Sequence, residues 1–224
     1  MNPKDLHFFY KFAQKLPLIQ DRVFCVPRFY QDHALFQMPL LSEEIFRNDH
    51  PIHIEFCSGN GEWIAKCAEE NRNINWIAVE RKFTRVRKIW SKMKNHGLEN
   101  LFIVCGQAED FCLHYLPEGS ISGIYINFPD PWPKLRHAKH RLIQEPFIEM
   151  MARICKSGAD CTIVTDDPPY AAYSIENMQS NLSFESVFPS PYFENKPGEY
   201  GSSYFNRLWE EMGKTIHYIK YRKT

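Results

Sequence analysis

From Ile52 onward the chain alternates short apolar runs with stretches of helical period. The runs are Ile52 to Phe56, Asn75 to Glu80, Leu101 to Cys105, Ile121 to Asn127 and Asp160 to Thr165, each of strand length and bounded by turn formers. Between them, Phe83, Val86, Trp90 and Met93 recur at spacings of three, four and three residues. That spacing puts them on one stripe of a helix whose other faces are basic. Segments starting at Glu62, Gln107, Gln144 and Tyr170 also read as helices. Strands near Phe184 to Phe188 and Thr215 to Tyr221 close the pattern. Strand and helix in alternation imply crossover connections, and hence parallel pairing. The expected fold is α/β, a doubly wound, mostly parallel seven-stranded sheet with a terminal antiparallel strand.

Residues 1–50 lack this regularity: their aromatics are scattered and Pro17, Pro27 and Pro39 interrupt them. They are expected to form an N-terminal arm ahead of a domain over 51–224. Composition adds limits. Hydrophobic residues at 44% and charged residues at 24% of 224 exclude global disorder. Lys plus Arg and Asp plus Glu both number 27, so there is no net field, and a polyanion must be met by a local patch. The seven cysteines include no C-x-x-C pair, which fits thiols in a reducing cytoplasm. The N-terminus lacks a signal-peptide pattern, and no apolar run has the length of a membrane span. A cytoplasmic protein without membrane attachment is expected.

The best-defined constellation is Ile54-Glu55-Phe56-Cys57-Ser58-Gly59-Asn60-Gly61-Glu62-Trp63, a strand, a small-residue turn and a helix. Gly59 and Gly61 let backbone approach a ligand at the strand's C-terminal edge. Glu80 lies 19 residues past Gly61 at the end of the next strand, where a carboxylate accepts from both hydroxyls of a ribose. The turn lacks the third glycine of a dinucleotide fingerprint. Glu55 would repel a pyrophosphate but helps hold the cationic amino-acid end of S-adenosylmethionine. The methyl donor is therefore the favoured cofactor.

Asn127-Phe128-Pro129-Asp130-Pro131-Trp132-Pro133-Lys134 follows the fourth run and should leave the same edge of the sheet. Its three prolines make a stiff support that presents Asp130 at small entropic cost. Downstream lie Lys134, Arg136, His137, Lys139, His140 and Arg141, and no acid occurs from Arg81 through Leu98. Two basic runs in a chain of zero net charge suggest a nucleic acid held by its phosphates. His137 and His140 have no third ligand at suitable spacing, so no metal is expected.

Together these residues resemble the bacterial tRNA (guanine-N7-)-methyltransferase family, a class I group with a Rossmann-like fold. The resemblance runs from about Pro51 to Tyr221. It is most specific in Asn127 to Lys134 with Arg136, His137 and Arg141, and is supported by Val164-Thr165-Asp166 and Gly213-Lys214-Thr215-Ile216-His217-Tyr218. It implies methylation of the variable-loop guanosine of tRNA, with tRNA as partner; no obligate protein partner is expected, and the chain is expected to be a monomer or homodimer. It further implies that Glu55 and Glu80 bind the donor, that Asp130 is donor-binding and catalytic, and that Lys134 and Asp166 contact the guanosine. Three positions depart from the family pattern. Cys57 replaces a turn glycine and must avoid a glycine-only conformation or accept strain. Gln107 replaces an acid near the adenine, keeping hydrogen bonding without charge. Ser202 and Phe205 stand at a substrate-binding Thr and Glu. Two other readings stay open: a class I methyltransferase acting on a protein or small molecule, and a non-catalytic RNA-binding homologue.

Overall fold

Strands covered on both faces carry apolar residues without alternation, and the middle of the first half of the chain shows this directly. In the computed structural model every residue of Asn75–Glu80 and of Leu101–Cys105 is buried. The structure describes residues 1–7, 16–28, 30–195, 200 and 204–224, without the side chains of 135, 204 and 205. It divides into two units, Met1–Leu116 and Pro117–Thr224.

The first unit runs β1 (Leu18–Gln20), β2 (Val23–Cys25), β3 (Ile52–Phe56), α1 (Glu62–Glu70), β4 (Asn75–Glu80), α2 (Phe83–Asn95), β5 (Leu101–Cys105) and α3 (Ala108–Tyr115). Its strands lie in the order β1-β2-β5-β4-β3. All pairings are parallel except β1 with β2. Ile54 stands beside Ile77, and Ile77 beside Phe102, so one apolar layer crosses three strands. The α2 stripe buries Val86, Trp90 and Met93 as their spacing requires.

The second unit runs β6 (Ile121–Asn127), α4 (Glu145–Ile154), β7 (Cys155–Thr165), α5 (Pro168–Gln179), β8 (Phe184–Ser186), α6 (Tyr204–Glu211) and β9 (His217–Lys223). The order is β6-β7-β9-β8, with β6 and β7 parallel and β9 antiparallel to both its neighbours. The start of α5 is built locally. Asp167 caps it by accepting from the Tyr170 N–H at 2.8 Å, and prolines fill the first turn, where a missing N–H removes nothing.

Among the described residues nine strands replace the seven expected. The two additions, β1 and β2, form a hairpin of three-residue strands joined by Asp21 and Arg22, at φ 48° and 64°. Two positive φ values mark the tight hairpin turn usually made by Asn-Gly or Asp-Gly; with Asp-Arg in its place the sequence carries no such signal. The Asp21 carboxylate is fixed from α2, by the Trp90 indole at 2.9 Å and the Lys94 ammonium at 2.6 Å. β7 begins five residues before the expected Asp160, and its register with β6 shifts between Ile121 and Gly123. The helix α6 was not anticipated at all.

Candidate functional site

In the first unit the sheet's C-terminal edge gathers five of the expected residues. β3 ends in a turn in which the Ser58 N–H donates to the Val79 carbonyl at 3.1 Å and the Gly61 N–H to that of Ser58 at 2.8 Å. Cys57, Gly59 and Gly61 all take positive φ, at 62°, 55° and 71°. Of the two outcomes open to Cys57 the second holds: an L-residue occupies the left-handed region, at about 1–2 kcal/mol relative to glycine. Gly61 is constrained twice, by its φ and because a Cβ there would lie 2.7 Å from Ile89 Cγ1.

Glu80 is only 5% exposed. Its Oε2 accepts from the Gly59 N–H at 3.0 Å and its Oε1 from the Lys82 N–H at 2.8 Å, while the Arg85 guanidinium stands 3.6 Å from Oε2. The turn and the carboxylate thus hold each other in place. Glu55, next to last in β3, is 2% exposed, and its charge adds to burial in pushing the Cys67 thiol up. Gln107 caps α3 two residues beyond β5, exposed, with its amide donating to Asp110 Oδ2 at 3.3 Å. Glu55, Gly59, Gly61, Glu80 and Gln107 therefore lie at or just beyond the C-terminal ends of three neighbouring parallel strands, the usual ligand edge of an open α/β sheet.

The second unit presents its own edge. β6 and β7 are parallel, with Asn127 beside Val164, so the loop bearing Asp130 and the segment bearing Asp166 leave the same side. The loop is stiffer than its prolines alone require. Phe128 and Trp132, each directly before a proline, take φ 49° and 44°, a conformation costing about 1–3 kcal/mol that persists only where surroundings enforce it. The Phe128 N–H donates to the Val164 carbonyl at 2.8 Å, and its ring packs on Val164, Ile216 and Tyr218. Arg141 donates to the carbonyls of Pro131 at 3.0 Å and Trp132 at 3.3 Å. Trp132 packs the loop down against His137 and His140, with centroids 5.7 and 5.2 Å away. Asp130 and Lys134 are exposed on this support.

Asp166 forms an ion pair with Lys214, whose ammonium lies 3.7 Å over the Trp209 ring. The Tyr200 hydroxyl donates to Asn127 Oδ1 at 2.8 Å. Ser202 lies outside the described residues, and of Phe205 only the backbone, within α6, is described. The pairings of Lys214 and Tyr200 had no signal in the sequence, since their partners are 48 and 73 residues away. The basic runs also change meaning. Arg141 clamps the loop and stacks 4.5 Å over Tyr173. In α2, Arg85 faces Glu80, Arg87 donates to the Leu6 carbonyl at 3.0 Å, and Lys94 holds Asp21. Four cations assigned to a phosphate-binding surface serve the fold.

Among the described residues no helix is long and apolar enough to cross a membrane. Residues 49–219 match the family model described as "Putative methyltransferase". Solved structures similar to this chain include the 16S rRNA methyltransferase KamB, at TM-score 0.60 and 15% identity over 84% of this chain and 96% of that one. Another, an antibiotic-related methyltransferase, reaches TM-score 0.59 at 19% identity over 84% and 97%. At such identities the likeness concerns the fold, which is the Rossmann-like fold of class I methyltransferases.

The sequence relatives narrow the class. A tRNA (guanine-N(7)-)-methyltransferase of Chlamydia muridarum is 44% identical over 223 residues, covering 100% of this chain and 98% of the relative. One from Staphylococcus aureus strain JH9 is 42% identical over 145 residues, 64% of this chain and 67% of its own. The chain belongs to the tRNA (guanine-N(7)-)-methyltransferase family.

Proposed function

We propose that this protein transfers a methyl group from S-adenosylmethionine to N7 of the variable-loop guanosine of tRNA, in the cytoplasm. The observation that carries the reading is the end-to-end match, at 44% identity, to a relative bearing that activity's name.

The donor set suits the cofactor. Each Glu80 oxygen accepts one backbone N–H and keeps lone pairs for the ribose hydroxyls. Glu55 supplies a buried carboxylate for the cationic amino-acid end, Gly59 and Gly61 a close backbone approach, and Gln107 an amide for the adenine. Bound there, S-adenosylmethionine supplies a methyl group activated by its sulfonium charge. Guanine N7 has an exposed lone pair and requires no general base, so positioning dominates. Asp130, which also helps bind the donor, orients the guanine and stabilises the positive charge that grows on its ring. Lys134 and Asp166 contact the guanosine, with Ser202 adding a hydroxyl. Phe205 stands where the family has an acid and contributes shape in place of charge. Cys57 leaves the donor turn formed, which favours a working enzyme over a binding homologue.

Calorimetry tests the donor half. Wild type should bind S-adenosylmethionine, and Glu80→Ala should weaken it about tenfold or more, as expected for lost hydrogen bonds to a charged group. Unchanged affinity in that variant would remove Glu80 from the site.

A further inference from the structure

We propose that His33, Asp110 and His114 form a transition-metal site on the first unit, suited to Zn²⁺. One ligand atom from each residue lies within 4.8 Å of the others. Asp110 and His114 share a face of α3, four residues apart. His33 comes from the short turn His33–Leu35, far away in sequence, so folding rather than chain proximity assembles the trio.

The three side chains differ in freedom in the way a metal site requires. His33 is buried and fixed: its Nδ1 lies 2.7 Å from the Tyr115 hydroxyl, and Tyr30 packs edge-on at 5.2 Å. The tautomer that donates Nδ1–H to Tyr115 leaves the Nε2 lone pair for a metal, the arrangement in which an outer partner orients a ligating imidazole. His114 is exposed and stacks on His33 with centroids 3.9 Å apart and planes within 6°. Tetrahedral coordination at ~2.0–2.1 Å brings donor atoms closer together than they stand here. His114 closes that distance by turning out of the stack. Asp110 does so by exchanging the Gln107 amide at 3.3 Å for the ion.

Two imidazoles and one carboxylate with a fourth position for water suit Zn²⁺ and its borderline neighbours, whereas Mg²⁺ and Ca²⁺ prefer all-oxygen sets. His137 and His140 differ in that the charged residues beside them, Lys134, Arg136, Lys139 and Arg141, are all cationic. Bound metal would pin the segment around His33 to α3 and stabilise the folded chain by linkage.

The test titrates the full-length protein with Co²⁺ and Zn²⁺. One equivalent of Co²⁺ should give the visible absorption of a four- or five-coordinate site, Zn²⁺ should displace it, and Zn²⁺ should raise Tm. His114→Ala and Asp110→Asn, with native folds checked by circular dichroism, should each abolish that equivalent. Tyr115→Phe should weaken it ~10–100-fold, and a His137→Ala/His140→Ala double variant should retain it. No bound equivalent at micromolar Zn²⁺, or one that folded His114→Ala keeps, would overturn the assignment.

Discussion

Cys57 shows how much one residue's backbone can reveal. Its φ of 62° is glycine's territory, and the chain tolerates the strain because the turn it opens is bonded to Glu80 on the neighbouring strand. Cys57→Gly should therefore raise unfolding stability by about 1 kcal/mol, the relieved strain exceeding the entropy that glycine adds to the unfolded chain. Denaturant melts check this, and an unchanged or lower midpoint would contradict it. Asp130 is the residue on which the proposed chemistry turns. Asp130→Asn keeps the shape of the loop but removes the charge, so turnover should fall roughly 100-fold while donor affinity is largely retained. Steady-state rates beside donor calorimetry would separate the two, and an unchanged rate would end the role assigned to Asp130.

At the scale of elements, β3 to β6 could be read to the residue because buried parallel strands are apolar throughout and end abruptly at turn formers. The β1–β2 hairpin could not, because Asp21 and Arg22 adopt positive φ without being glycine or asparagine, and the carboxylate that steadies them is held from a helix 69 residues on. Glu55, Glu80 and Asp130 were legible as site candidates because strand ends announce themselves. That Lys214 would pair with Asp166 and Arg141 clamp the proline loop was not legible, since charge alone does not say whether a cation serves a ligand or the fold.

The β7–β9 pair offers a test of pairing energetics. Asp160 stands beside Arg222 in the ladder and accepts from its guanidinium at 2.7 and 3.1 Å, with the Lys220 ammonium at 2.7 Å. Burial pulls the Asp160 carboxyl up, but the bonds from Arg222 and Lys220 outweigh it and leave it below its ordinary value. A folded value below the unfolded one, about 3.9, means stability that is present above that pH and lost as pH falls through the folded value. Asp160→Asn should then destabilise by about 1 kcal/mol or less at neutral pH, because the clasp is partly exposed. The difference should shrink in strong acid. A deficit independent of pH would show that the pair acts through packing instead.

For the whole molecule, a net charge of zero and the internal use of Arg85, Arg87, Lys94 and Arg141 leave tRNA binding to a smaller set of cations than the basic runs suggest. On the proposed function, recognition then rests more on contacts to the guanosine and less on a general field. The central claim, that this chain methylates guanosine N7 in tRNA, is tested most directly by the product. Purified protein is incubated with labelled S-adenosylmethionine and unmodified bulk tRNA, and the label is mapped by strand cleavage specific to 7-methylguanosine. Cleavage at the variable-loop guanosine, lost in Asp130→Asn, is the predicted result; donor binding without any label at that base would contradict the account.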